Sequence, residues 1–202
     1  MEKKLIKIFE GTYNEIMPSL RKKGFKPATA EEIQKLRLEN QLSFDSYYDT
    51  ATGIFYTGNN QDKFKIIPYS QDLANVTQET ELYNGGIKKT QEEYENAKAS
   101  EFKRKDMILG ERLTEKEALK HLGWLNALNG NKELLEKIVE HVFKEVKNRY
   151  GEKEAMGFYL RNTQEVPDMR ALHLCGLYGS HGAGASDFYD LEDGARLVGE
   201  KK

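Results

Sequence analysis

The clearest pattern of apolar and polar positions lies between residues 132 and 149. There Leu134, Leu135, Ile138, Val139, Val142, Phe143 and Val146 recur every three or four positions among charged residues. This predicts an amphipathic helix with one buried stripe, ended at Gly151. Upstream, Ala118, Leu119, Leu122, Leu125 and Leu128 predict a helix over 115–128, opened by the capping-box pair Thr114 and Glu117. Asn129-Gly130-Asn131 separates the two, which should pack as an antiparallel pair. Trp124 should cover the core edge, and His121, offset from the stripe, should be exposed. Near the start, Tyr13, Ile16, Met17 and Leu20 predict a helix over 13–23, ended by Gly24. Pro18 lies inside it and lacks a backbone donor, so a kink or a start delayed to Pro18 is expected. Thr29 with Glu32 opens a further helix over 30–41, with Ile33 and Leu36 inward. These first two helices should form a hairpin around Phe25.

Two stretches have the period and composition of strands. Over 44–69, three runs rich in aromatic and β-branched residues (44–49, 53–56 and 63–67) predict an antiparallel meander with turns at 50–53 and 58–62. Toward the end, Met156–Leu160, Arg170–Tyr178 and Ala195–Val198 are strand candidates, and Leu5–Phe9 reads as a short edge strand. Between these stretches, segment 84–113 carries the weakest pattern. It holds a turn at Asn84-Gly85-Gly86, a capping box at Thr90 and Glu93 opening a helix to about Ala99, and a charge run from Glu101 to Asp106. The expected architecture is α+β: a single globular domain over 1–202. An antiparallel or mixed sheet from 44–69 and 155–198 packs against helices near 13–23, 30–41, 115–128 and 132–149.

Composition narrows the functional classes. Lysine plus arginine number 31 and aspartate plus glutamate 33, for a net charge of −2. No global basic field attracts nucleic acid. One cysteine, Cys175, excludes an intrachain disulfide and fits a reducing compartment. The segment Met1–Phe9 is too short and too charged to read as a signal peptide. No run approaches the ~20 apolar residues of a membrane span. The expectation is a cytoplasmic protein that does not enter a membrane; the sequence implies no cofactor and leaves the oligomeric state open.

Phe9-Glu10-Gly11-Thr12-Tyr13-Asn14, then Tyr48-Asp49-Thr50, Gly53-Ile54 and Tyr56, then Phe64-Lys65-Ile66, and finally Ala195-Arg196-Leu197-Val198-Gly199 together resemble a family of small archaeal proteins without an assigned activity. The resemblance runs in order over most of the chain and implies an archaeal source. It transfers no catalytic residue.

The most site-like segment is Gly179–Asp187. Glycines at 179, 182 and 184 let the backbone approach a ligand, and successive N–H groups, with Ser186, could cradle an anion. The same residues also suit a plain crossover loop between strands. His181 sits among Ser180, Ser186 and Asp187 and has the chemistry of a general acid or base; an ordinary surface histidine is the plainer reading. His173, Cys175 and His181 are of metal-ligating type, and His173 and Cys175 share a strand face, but the spacing matches no zinc signature. Cys175 in an apolar run also reads as a small buried filler. Asp187, Asp190, Glu192 and Asp193 form an acidic cluster that a solvated turn accounts for. The meander aromatics Phe44, Tyr47, Tyr48, Phe55, Tyr56, Phe64 and Tyr69, with Lys63 and Lys65, could stack unpaired bases or simply be core.

No catalytic constellation assigns a reaction. The leading expectation is a non-enzymatic ligand- or partner-binding module. The alternatives are a small enzyme built on Gly179–Asp187 with His181 as acid or base, and a single-stranded nucleic-acid binder through the meander.

Overall fold

The computed structural model describes residues 5–59, 61–162, 164–177 and 182–201. β1 (Leu5–Thr12) runs into α1 (Tyr13–Lys22) at a capping interaction, with the Thr12 hydroxyl donating to Glu15 Oε2 at 2.7 Å. β2 (Lys26–Pro27) precedes α2 (Ala30–Leu38). The cap of α2 is reciprocal: Thr29 N donates to Glu32 Oε2 at 2.8 Å, and Glu32 N to Thr29 Oγ1 at 3.2 Å. β3 (Tyr48–Tyr56) and β4 (Lys63–Ile67) follow, then α3 (Gln71–Asn75). β5 (Leu82–Tyr83) and β6 (Gly86–Lys88) form a hairpin across Asn84 and Gly85, both at positive φ as its tight turn demands. Next come α4 (Gln91–Asn96), β7 (Glu101–Lys103), β8 (Leu113–Thr114), α5 (Glu115–Ala118), α6 (Leu122–Ala127) and α7 (Lys132–Tyr150). The chain closes with β9 (Glu154–Ala155), β10 (Phe158–Tyr159), β11 (Asp168–Leu174), β12 (Ala185–Ser186) and β13 (Gly194–Lys201).

Among the described residues the main sheet has eleven strands, with the central order β1-β13-β3-β11-β12-β10. It is mixed. β1–β13, β3–β4 and β3–β11 are antiparallel, whereas β13–β3 and β10–β12 are parallel. Strand alternation sorts side chains onto two faces. Tyr48, Ile54 and Tyr56 of β3, Leu172 and Leu174 of β11 and Val198 of β13 enter one core with α2, α6 and α7. Phe55, Met169, Ala171, Ala195 and Leu197, from the same strands, enter a second core with α1, Leu73 of α3 and Tyr94 of α4. The α+β class and mixed sheet match the sequence reading, as do helices near 13–23, 30–41 and 132–149.

Four local expectations are corrected. The first two helices form no hairpin, because Tyr13, Ile16, Met17 and Leu20 pack in one core and Ile33 and Leu36 in the other. α1 starts at Tyr13 despite Pro18, which occupies a position inside the helix. The predicted turn at 50–53 is continuous strand, so 48–56 is one β-strand; the third strand of that meander is β7, paired to β4. Its threonines are tied into the sheet: Thr50 Oγ1 donates to Leu172 O at 2.8 Å and Thr52 Oγ1 to Pro68 O at 2.9 Å. Gly53 leaves room for the packed neighbours, since a Cβ would meet Met169 Sδ at 2.5 Å and force that side chain to shift. Finally, the helix expected over 115–128 is broken at 119–121. His121 is buried and caps α6, its Nδ1 accepting from Trp124 N at 3.3 Å and its Nε2 donating to Ile108 O at 2.8 Å. Burial pushes its pKa down, which keeps this neutral tautomer. Trp124 is fully buried, not at a core edge, and its indole N–H donates to Met156 O at 2.7 Å.

Candidate functional site

Two structures are built on β11, a charged hub near its start and an aromatic platform near its end. The hub centres on Arg170, whose guanidinium is fully buried. Its Nε donates to Asp187 O at 3.1 Å, its Nη1 to Asn84 O at 2.6 Å and Asp168 Oδ2 at 3.2 Å, and its Nη2 to Asp190 Oδ1 at 2.5 Å. Arg161 Nη2 adds a second donor to Asp190 Oδ1 at 2.6 Å. The Asp187 carboxylate is buried beneath them and accepts from Tyr56 Oη at 2.5 Å and Arg161 N at 2.8 Å. Four separate segments are thereby tied to one strand. Burial raises the Asp168 pKa to about 7 against the opposing pull of Arg170, and raises that of Asp187. A cleft of about 430 Å³ opens beside the hub, walled by Asn84, Gly85, Arg161 and Asp190. Arg161 and Asp190 pair across that wall.

The platform lies further along β11. Asp49 of β3, buried, accepts from His173 Nδ1 at 3.0 Å and, through its other oxygen, from Arg196 N at 2.8 Å. This places the His173 proton on Nδ1 and fixes the plane of the ring. Tyr47 stacks on that ring at 5.2 Å between centroids and Tyr189 packs against it at 4.3 Å. Tyr47 is 38% exposed, Tyr189 47% and its neighbour Phe188 48%. An aromatic surface therefore stands on a buried ionic floor, with Tyr47 and Tyr189 contributed by segments on either side of the histidine.

The predicted site residues separate clearly. His173 joins Asp49, Tyr47 and Tyr189. Cys175 is buried, and burial lifts its thiol to about 11, an inert state. Among the described residues, no group of three or more histidine, cysteine or acidic side chains is placed to hold a metal. Gly179, Ser180 and His181 lie outside the described residues. Gly182, Gly184 and Ser186 fall among the described residues. Their segment is buried, and its backbone is committed to neighbours: Ala183 N donates to Gly176 O at 2.9 Å, Ala185 N to Gly157 O at 2.9 Å and Asp187 N to Tyr159 O at 3.2 Å. The acidic cluster divides: Asp187 and Asp190 are the hub's anions, whereas Glu192 and Asp193 are exposed in the turn that follows. Of the meander aromatics, Phe44, Tyr48, Phe55, Tyr56 and Phe64 are core, which leaves Tyr47 as the strongly exposed one. The sequence reading misses the hub arginines and the roles of Asp49 and Tyr189. The one signal it carries is an unusual density of arginine and aspartate at 161–196.

A solved structure described as "Accommodation of massive sequence variation in Nanoarchaeota by the C-type lectin fold" matches this chain with a TM-score of 0.72, over 99% of each chain, at 16% identity. The two share the C-type lectin fold. No family model and no curated protein matches the sequence. The similarity thus extends to an archaeal protein at the level of architecture. Among the described residues no helix is long and apolar enough to cross a membrane.

Proposed function

We propose that this chain is a non-enzymatic binding module that takes a protein or peptide partner on the Tyr47–His173–Tyr189 surface, with Phe188 at its margin. The observation that carries this reading is the His173 ring held by Asp49 between two half-exposed tyrosines. Tyrosines present large amphipathic area at little entropic cost, and ones already packed have less freedom to lose on binding. Exposed Tyr and Phe beside an arginine, here Arg196, are the residue types that dominate binding energy at protein interfaces. The nearby thiol of Cys175 is buried and held protonated, so it is no ready nucleophile.

The Nanoarchaeota relative is described as accommodating massive sequence variation within the C-type lectin fold. That supports a division of labour here between an ionic framework and a changeable surface, a division suited to binding. In this reading the chain is one globular domain of a cytoplasmic archaeal protein, in keeping with its single cysteine and its family resemblance.

A random peptide library panned on the protein, with Tyr47→Ser/Tyr189→Ser as counter-selection, tests the proposal. Peptides are expected that bind wild type at least about ten-fold more tightly than the double variant, a difference of ~1.4 kcal/mol. Binders indifferent to both substitutions would overturn it. So would turnover of a small molecule that is abolished by changing His173.

A further inference from the structure

Toward the Tyr48 end of β3, α2 buries two polar residues one turn apart, Gln34 and Arg37, at 0% and 1% exposure. Such neighbours share a helix face. The Arg37 guanidinium lies 5.5 Å from the Phe44 ring and 5.3 Å from the Tyr48 ring. One nitrogen, Nη2, donates to Ser46 O at 2.6 Å and Cys175 O at 3.2 Å. The other two, Nε and Nη1, are buried with no hydrogen-bond partner among the described residues, as are both polar atoms of Gln34. The acidic side chain that acts on Arg37, Asp45, is exposed and engages Arg149 at 2.6 Å instead. Arg196 is no counter-charge: it is a second cation, 5.4 Å from the same Tyr48 ring.

The unpartnered set therefore holds three donor nitrogens against one acceptor oxygen, and carries a net positive charge. Water satisfies donors but leaves the charge uncompensated, and an uncompensated buried charge is among the costliest groups a protein can hold. We propose that Arg37 and Gln34 form a binding site for a small monovalent anion of the halide class, seated on Arg37 Nε and Nη1 and the Gln34 amide. The enclosure sets the size, since side chains this deeply buried admit a monatomic ion and exclude a phosphate ester or a partner's carboxylate. Burial lowers the Arg37 pKa to about 10, the direction expected of a cation that lacks an anion. The inference stands independently of the aromatic surface.

Crystals of the full chain soaked in sodium bromide test the site directly. An anomalous peak in contact with Arg37 and Gln34 is the expected result; an ordered water there without anomalous signal overturns the proposal. In solution, the protein should broaden the chloride-35 NMR line, and chloride should raise Tm saturably over gluconate at equal ionic strength. Arg37→Met should abolish both effects. Gln34→Leu, which keeps the cation and removes one donor, should weaken halide affinity about ten-fold and provides the comparison should Arg37→Met fail to fold. Broadening unchanged in both variants would also overturn the assignment.

Discussion

Arg170 and Arg37 are both buried guanidiniums, and they differ in everything else. Arg170 is saturated. It spends its nitrogens on two carboxylates and two carbonyls drawn from three segments of the chain. Arg37 meets two carbonyls and two rings, and keeps two nitrogens in reserve. Burial alone thus says little about what a charge is for. The saturated arginine is a fastener whose partners were chosen by the fold. The unsaturated one presents hydrogen-bonding capacity that the chain itself does not consume.

The contrast can be broken most forcefully at the hub. Arg170→Met leaves the buried Asp168 without its paired cation and Asp190 with Arg161 alone, and should cost about 3–5 kcal/mol, read as a fall in the denaturation midpoint. A loss under about 1 kcal/mol would mean that the hub does not fasten the fold. Next comes pH. The Asp168 pKa rises on folding from the ordinary 3.8 to about 7, and that of Asp187 rises too. The folded state then holds more protons than the unfolded one in this window. The contribution of these groups to stability is therefore full below about pH 4 and is lost as pH rises through about 7. Asp168→Asn should flatten the Tm profile between those values, and an unchanged slope would remove Asp168 from the account. Arg37→Met should be milder. In chloride-free buffer the lost contacts are offset by removal of an uncompensated charge, so the net change should stay under about 1.5 kcal/mol by calorimetry. A loss as large as that at Arg170 would erase the distinction. The smallest effect is expected at the platform, where Tyr189→Ser should shift stability by about 0.5 kcal/mol or less, because the side chain is half exposed.

The same contrast explains what is legible in the sequence. α7 can be read residue by residue because its stripe is local: each buried position has another three or four residues away. β3 cannot. Thr50-Ala51-Thr52-Gly53 has the composition of a turn, and the reasons it is strand lie far away in the chain, at Leu172, Pro68 and Met169. His121 escapes for a similar reason, since nothing in helical periodicity marks a histidine as a cap. At the site, the residue types are visible in the sequence and their pairing is not. His173 stands out by its chemistry, but Asp49 lies 124 positions away. Asp187 has the look of one acid among several; Tyr56, 131 positions away, and Arg161 give it a buried role. Ionic fasteners carry no period, so only the fold reveals them.

The outer ladder of the sheet also determines how the molecule responds to force. β1 and β13 pair antiparallel over eight residues, from Leu5 opposite Lys201 to Thr12 opposite Gly194. A load applied between Leu5 and Lys201 therefore pulls across the ladder at its open end. The rungs then break in succession, like a zipper, instead of resisting together in shear. The adjoining β13–β3 pairing is parallel and offers a short register, Leu197 with Asp49. Under tension the molecule should yield first by peeling β1 from β13, at low force, while the strands that carry the hub and the platform remain paired.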